Sequence, residues 1–164
     1  MKLIQIFALL SAAVLSGCAT TPGPYGNYLE PQTSEAYSQQ LAQDVATQMA
    51  RVWAPAQTEL SLEHPAKDGF GVALVDALRG AGFAVREYDE HGPGGKSQQE
   101  GPAVDAGSGS TGSELRYVVD QLDKNLVRVS VAVGEEGIAR AYSTEGGSVT
   151  PAGIWAIRKG QGST

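Results

Sequence analysis

Hydrophobic periodicity is clear in some stretches of the chain and missing in others. From Ser34 to Trp53, apolar residues recur every three or four positions with glutamines between them, which predicts an amphipathic helix. Ser34 is placed to cap this helix, and Pro55 follows its end. Because Arg51 is the segment's one basic residue, the pattern favours a helix that packs on a core over one that lies on a membrane.

A strand-helix-strand unit is predicted next. Thr58 to Leu62 has the pattern of a short strand, and Asp68 is placed to cap a second helix. Gly80 and Gly82 end that helix, and Phe83 to Tyr88 returns as a strand.

The C-terminal part alternates between apolar and polar positions, as strands do. We expect strands at Glu114 to Leu122, Leu126 to Val133, Ile138 to Ser143 and Gly153 to Arg158, with short turns between the first three. The sequence therefore predicts a small single α+β domain. It has an amphipathic helix, a strand-helix-strand unit and a C-terminal antiparallel β-meander.

Three segments lack this periodicity. Residues 18–33 contain three prolines and predict an extended tether, in which Tyr25 and Tyr28 are candidate contacts for a partner. Residues 89–113, rich in glycine and serine, predict a flexible linker, and residues 160–164 a disordered tail. The folded parts are then residues 34–88 and 114–159.

The first residues have the features of an export signal. Lys2 is followed by an apolar run from Leu3 to Leu15 that is short for a membrane span. The run ends in the sequence LSGC, in which small residues precede Cys18. This lipobox predicts that residues 1–17 are a lipoprotein signal peptide, and that cleavage leaves a lipidated Cys18 at the N-terminus.

Lipidation also accounts for a single thiol in an exported chain, because Cys18 is the sole cysteine. Each buried methylene of an acyl chain contributes about 0.8 kcal/mol, so several chains, palmitate among them, make the membrane anchor stable. Ala19 follows the cysteine, where an aspartate is typical of retention at the inner membrane. We therefore expect a lipid anchor in the outer membrane, with the domain facing the periplasm.

Charge and motif spacing argue against several kinds of binding. The chain has 18 acidic and 12 basic residues, a net charge of -6, which disfavours direct binding to nucleic acid. Gly107 to Gly112 fits the spacing GxGxxG, but it lies in the predicted linker and precedes a strand rather than a helix. Gly95 to Ser97 resembles the end of a phosphate-binding loop, but Glu90 replaces the glycine which that loop needs. We therefore expect no cofactor.

The sequence contains no combination of residues that is typical of catalysis. The two histidines, His64 and His91, have no partner at a metal-binding spacing, so no metal site is predicted. The acidic pairs Asp89-Glu90 and Glu135-Glu136 lie in predicted turns, where charges are normally solvated. We expect neither catalytic residues nor a small-molecule substrate. A binding or structural role remains.

Aromatic residues are the best candidates for such a role. The candidates are Trp53, Tyr88, Tyr117, Tyr142 and Trp155, and most of them should be core residues. Trp155, near the end of the last predicted strand and close to Arg158, is the candidate interface anchor.

Three stretches behind the lipobox, ELRYVVDQLDKNLVRVSVAVG, ARAYS and PAGIWAIRK, resemble the TrbH family of conjugal transfer lipoproteins. The resemblance implies an accessory of the mating-pair formation apparatus, a type IV secretion system that transfers plasmids. It also implies that the partners are other subunits of that complex. The alternative is a general envelope lipoprotein that binds and regulates a cell-wall or other envelope machine.

Overall fold

Two helices and eight strands form the part of the chain that the computed structural model describes, residues 24–89 and 112–160. The helices are α1 (Pro31–Val52) and α2 (Gly69–Gly80). The strands are β1 (Gly26–Asn27), β2 (Glu59–Leu62), β3 (Ala84–Arg86), β4 (Ser113–Asp123), β5 (Leu126–Val133), β6 (Glu136–Ser143), β7 (Thr150–Pro151) and β8 (Ala156–Arg158).

The described strands form one mixed sheet, in the order β3-β2-β4-β5-β6-β7, with β1 also beside β4 and β8 also beside β6. Strands β2 and β3, joined through α2, are parallel, and β2 is parallel to β4 as well. Strands β4, β5 and β6 pair antiparallel through tight turns. The predicted α+β class, with its strand-helix-strand unit and β-meander, is confirmed.

Helix α1 begins three residues before the predicted start. Glu30 occupies the N-cap position without a side-chain hydrogen bond, and Pro31 is the first helical residue, so Ser34 is not the cap. Proline suits this position because its φ angle is already helical and it has no N–H to satisfy. The predicted apolar stripe is buried, with Leu41, Val45 and Met49 at 1% exposure or less.

The prediction of an extended tether over residues 18–33 is wrong for its last residues, which form part of the fold. Gly26 and Asn27 pair in parallel with Val118 and Val119 of β4, and Leu29 is buried. Strand β2 pairs only with the first residues along this edge of β4. Farther along the edge, the backbone N–H and C=O groups of β4 find their hydrogen-bond partners in β1. Residues 18–23 lie outside the described ranges.

The predicted linker, 89–113, differs from the structure at its end. Ser113 already belongs to β4, where it pairs with Leu60 of β2. Residues 90–111, and 161–164 of the predicted tail, lie outside the described ranges.

The last predicted strand, Gly153 to Arg158, is shorter than expected. Pairing with β6 occurs at β7 and again at β8, with residues 152–155 between the two. In this gap the carbonyl of Gly153 accepts a hydrogen bond of 2.8 Å from the Arg140 side chain instead of a neighbouring strand.

Polar contacts join both helices to the sheet. The Tyr117 hydroxyl donates to Asp68 at the start of α2 (2.5 Å), and the Tyr142 hydroxyl donates to Asp44 of α1 (2.8 Å). Asp68 also caps α2, because its other carboxylate oxygen accepts from the backbone N–H of Gly71 at 2.9 Å. The predicted cap of the second helix is therefore confirmed.

Glu136 is not the solvated turn residue that the sequence suggested. It is the first residue of β6, and its carboxylate accepts a hydrogen bond of 2.9 Å from the indole N–H of Trp53, which follows α1. Its neighbour Glu135 is exposed in the turn. Register across the sheet, which the sequence alone does not give, turns one member of this acidic pair towards the helix.

This difference predicts a difference in stability between two adjacent alanine variants. Glu136→Ala should lower the free energy of unfolding by about 1–2 kcal/mol, because the Trp53 N–H loses a charged acceptor in a half-buried place. Glu135→Ala should change it by less than about 0.5 kcal/mol. Urea unfolding followed by circular dichroism measures both values. Equal effects would contradict the assigned role of Glu136.

Candidate functional site

The helices cover one face of the sheet. Tyr117 and Tyr142 lie on the covered face, because their hydroxyls donate to Asp68 at the start of α2 and to Asp44 of α1. Side chains alternate along a strand, so the residues between these positions lie on the opposite face. This open face carries Arg116, Val118 and Asp120 of β4, Arg128, Ser130 and Ala132 of β5, Gly137, Ala139 and Ala141 of β6, and Ala156 and Arg158 of β8.

Strand register aligns two arginines across the open face. Arg116 pairs with Ala132, Ala132 with Gly137, and Gly137 with Arg158. The neighbouring row has Ser130 as its one polar side chain among valine and alanines. Small side chains between two long ones make a groove of about 390 Å³, which Tyr25 borders on the β4 side. We call it the arginine groove.

Arg116 is held in place without a carboxylate partner in the described part of the chain. Its guanidinium donates to the Gly134 carbonyl at 2.6 Å and, more weakly, to the Tyr25 hydroxyl at 3.5 Å. The Tyr25 ring lies against it, 5.6 Å from the guanidinium carbon. The Nε–H is buried and has no hydrogen-bond acceptor among residues 24–89 and 112–160. An arginine without a carboxylate partner favours an anionic ligand at its accessible N–H groups.

Arg128, also on the open face, shows the opposite arrangement. Asp120 receives two of its hydrogen bonds, at 3.0 and 2.6 Å. Arg158 is exposed, and no carboxylate of the described ranges pairs with it. Within the described ranges, Arg128 on the open face therefore forms an ion pair, whereas the arginines at the two ends of the groove do not.

A histidine occupies the gap between β2 and β1 along the edge of β4. The Nε2 atom of His64 accepts from the backbone N–H of Tyr117 at 3.4 Å. Its ring stacks on Tyr25, with centroids 5.8 Å apart, and meets the Tyr117 ring edge-on at 4.4 Å. Burial lowers the pKa of His64, and this outweighs the opposing effects of the Pro65 backbone and the charge of Asp68.

We expect His64 to make the stability of the domain depend on pH. Because burial keeps its folded pKa below the value of about 6.5 in an unfolded chain, the unfolded chain takes up the proton first as the pH falls. The stability contributed by neutral His64 is thus complete above pH 7 or so. It decreases through the window between the two pKa values.

The comparison with His64→Gln isolates this effect, since glutamine can still accept from the Tyr117 N–H but does not titrate. Urea unfolding between about pH 7.5 and 5 should show a steeper loss of stability in the wild type, by at most about 1.4 kcal/mol per pH unit. Parallel curves would show that His64 does not bind a proton on unfolding.

Trp155, the predicted interface anchor, is half-buried. Its ring meets Tyr142 edge-on, with centroids 6.4 Å apart, and lies 5.4 Å from the guanidinium carbon of Arg140. Its neighbour Ile154 is 92% exposed, and Ile157 is 52% exposed. Of the other predicted contact residues, Tyr25 is 38% and Tyr28 49% exposed. Tyr25 borders the groove, and whether any of the three binds a partner stays a prediction.

The described residues contain no group of three or more His, Cys, Asp or Glu side chains that could bind a metal ion. Neither described helix is both long and apolar enough to cross a membrane. Cys18, His91 and the two glycine-containing motifs within 95–112 lie outside the described ranges, except for Gly112.

Sequence reasoning missed the two groove arginines as a pair. Arg116 and Arg158 are 42 positions apart and belong to different strands. The available signal was the alternation of small residues at Ser130, Ala132, Gly137 and Ala139 within strongly apolar strands. Small side chains on one face leave room for a ligand.

The fold and the groove define a class of protein, a small α+β domain with one sheet face covered by helices and an arginine-bordered groove on the other. The chain matches the family model of the conjugal transfer protein TrbH over residues 21–160, which is most of its length. It therefore belongs to the TrbH family, and the resemblance found in the sequence is confirmed. Searches of curated proteins and of solved structures found no match.

Proposed function

We propose that this protein is an accessory component of a conjugative type IV secretion apparatus, anchored to the outer membrane through lipid on Cys18 and acting in the periplasm. The observation that carries the proposal is the match to the family of conjugal transfer proteins over residues 21–160. The lipobox at Cys18 supports the anchor. The arginine groove supports action by binding rather than by a reaction centre.

The start of the fold limits how far the domain can lie from its anchor. Strand β1 fixes the chain to the sheet at Gly26, eight residues after Cys18. An extended chain spans at most about 3.5 Å per residue, so the reach is about 28 Å. This is clearly less than the roughly 45 Å that a tether of residues 18–33 would allow. The domain would therefore act close to the membrane, with Tyr25 and the groove beside the attachment point.

Loss of the gene should impair plasmid transfer. A donor strain that lacks it, mated with a plasmid-free recipient, should give fewer transconjugants by an order of magnitude or more. The same strain complemented with the wild-type gene is the control. Normal transfer without the gene would contradict the proposed role and would favour a general envelope function.

A further inference from the structure

The arginine groove has a charge opposite to that of the molecule around it. The chain carries a net charge of -6, yet Arg116 and Arg158 have no carboxylate partner within the described ranges. Arg128 on the same face is paired with Asp120, so unpaired arginines are not a general property of this face.

The dimensions of the groove suit a polypeptide. Arg116 and Arg158 are separated by three strand spacings, which is about 14 Å between their Cα atoms. About four residues of extended chain cover this distance. Between the arginines, Ala132 and Gly137 offer a floor without long side chains, so another backbone can approach closely. A concave surface of this kind fits a peptide segment better than a flat membrane.

We infer that the arginine groove binds an extended acidic segment of a partner protein, whose carboxylates, about four residues apart, pair with Arg116 and Arg158. The planar guanidinium groups can each bind a carboxylate in bidentate geometry. The apolar floor accepts the side chains between them. The inference rests on the proposed function in one respect, since the partner is then another subunit of the transfer apparatus.

Site-specific photo-crosslinking in donor cells tests this inference on the full, lipidated protein. A photo-reactive phenylalanine replaces Tyr25 at the border of the groove, where the native side chain is already aromatic, and a matched control carries it at Val72, which is 51% exposed on α2, away from the groove. From position 25 we expect an adduct with a protein whose crosslinked peptide contains two carboxylates about four residues apart. The Val72 control should not give that adduct.

Charge reversal then identifies the contact. Arg158→Glu, a change at an exposed residue, should lower the yield of the adduct by at least about tenfold, and adding Arg116→Glu should remove it. Arg128→Glu should leave the yield unchanged. Changing the partner's two carboxylate residues to arginine should restore the adduct in the double variant. Thermal melting of the purified variants checks that each is folded.

Other adducts would overturn the inference. The inference would be wrong if the adduct contained a phospholipid, a second copy of this chain or a peptide without carboxylates. It would also be wrong if Arg158→Glu left the yield unchanged. An unchanged yield together with loss of transfer on gene deletion would leave the proposed function standing. An acidic peptide from a protein outside the transfer apparatus would support the groove inference and contradict the proposed function.

Discussion

Replacing Cys18 by serine should abolish labelling with radioactive palmitate and leave an uncleaved precursor. The reason is chemical, since in the lipoprotein pathway that the lipobox indicates, a cysteine thiol accepts the lipid before the signal peptide is cleaved. Labelling of the variant at the wild-type level would contradict the assignment of the lipobox.

The proposed lipid anchor should be needed for plasmid transfer. A soluble version, exported with an ordinary cleavable signal and starting at Ala19, keeps the whole described domain and loses the lipid. Tethering raises the effective concentration of a weakly binding domain around its partner to the millimolar range. We therefore expect the soluble version to restore transfer about a hundredfold less well than the wild-type protein at matched levels.

Overproduction of the soluble version should recover part of the transfer, because a higher concentration replaces tethering. The mating assay with the deletion strain compares the wild-type protein, the soluble version at the matched level and the overproduced soluble version. Full complementation by the soluble version at the matched level would show that the anchor has no role in transfer.

The largest expected loss of stability comes from one added methyl group. A Cβ atom at Gly71 would collide with the Tyr117 hydroxyl and lie 3.0 Å from the Ala66 Cα. Gly71→Ala should therefore displace Tyr117 and break its hydrogen bond to Asp68, at the point where the sheet meets the start of α2. We expect the free energy of unfolding to fall by about 3 kcal/mol.

Two further variants separate this collision from other effects of alanine. Gly80, in the same helix, has open space around the position of a Cβ atom, so Gly80→Ala should be neutral or stabilising by up to about 1 kcal/mol. Tyr117→Phe removes the hydroxyl, so the double variant Gly71→Ala/Tyr117→Phe should lose less stability than the two single variants together. Urea unfolding measures these values. Equal effects of alanine at Gly71 and Gly80 would contradict the close contact.

The elements of the fold could be predicted because the signals that specify them are local. Apolar spacing along α1, the capping carboxylate of Asp68 and the alternating valines of β5 each act over a few residues. The β-meander was predictable for the same reason, since short turns join its strands. The lipobox pattern is also local, because it consists of four consecutive residues, LSGC.

The candidate site could not be predicted in the same way. Arg116 and Arg158 come together through three successive strand pairings, and a shift of one residue in any of them would place the arginines on opposite faces. Whether an arginine finds a carboxylate partner also depends on which strands become neighbours. Asp120 compensates Arg128 but not Arg116, although both arginines lie on strands adjacent in the sheet.

The sequence by itself determined the lipobox signal, the family resemblance, the order of helices and strands and the identity of most core residues. All of these depend on residue type and on spacing within a few positions. Tertiary structure decided which segments share an edge. It placed β1 on the part of β4 that β2 leaves free, made His64 an acceptor for a strand N–H, and turned Glu136 towards Trp53. The physical reason is that these contacts depend on the register between segments far apart in the chain, and backbone hydrogen bonding fixes that register only when the sheet has formed.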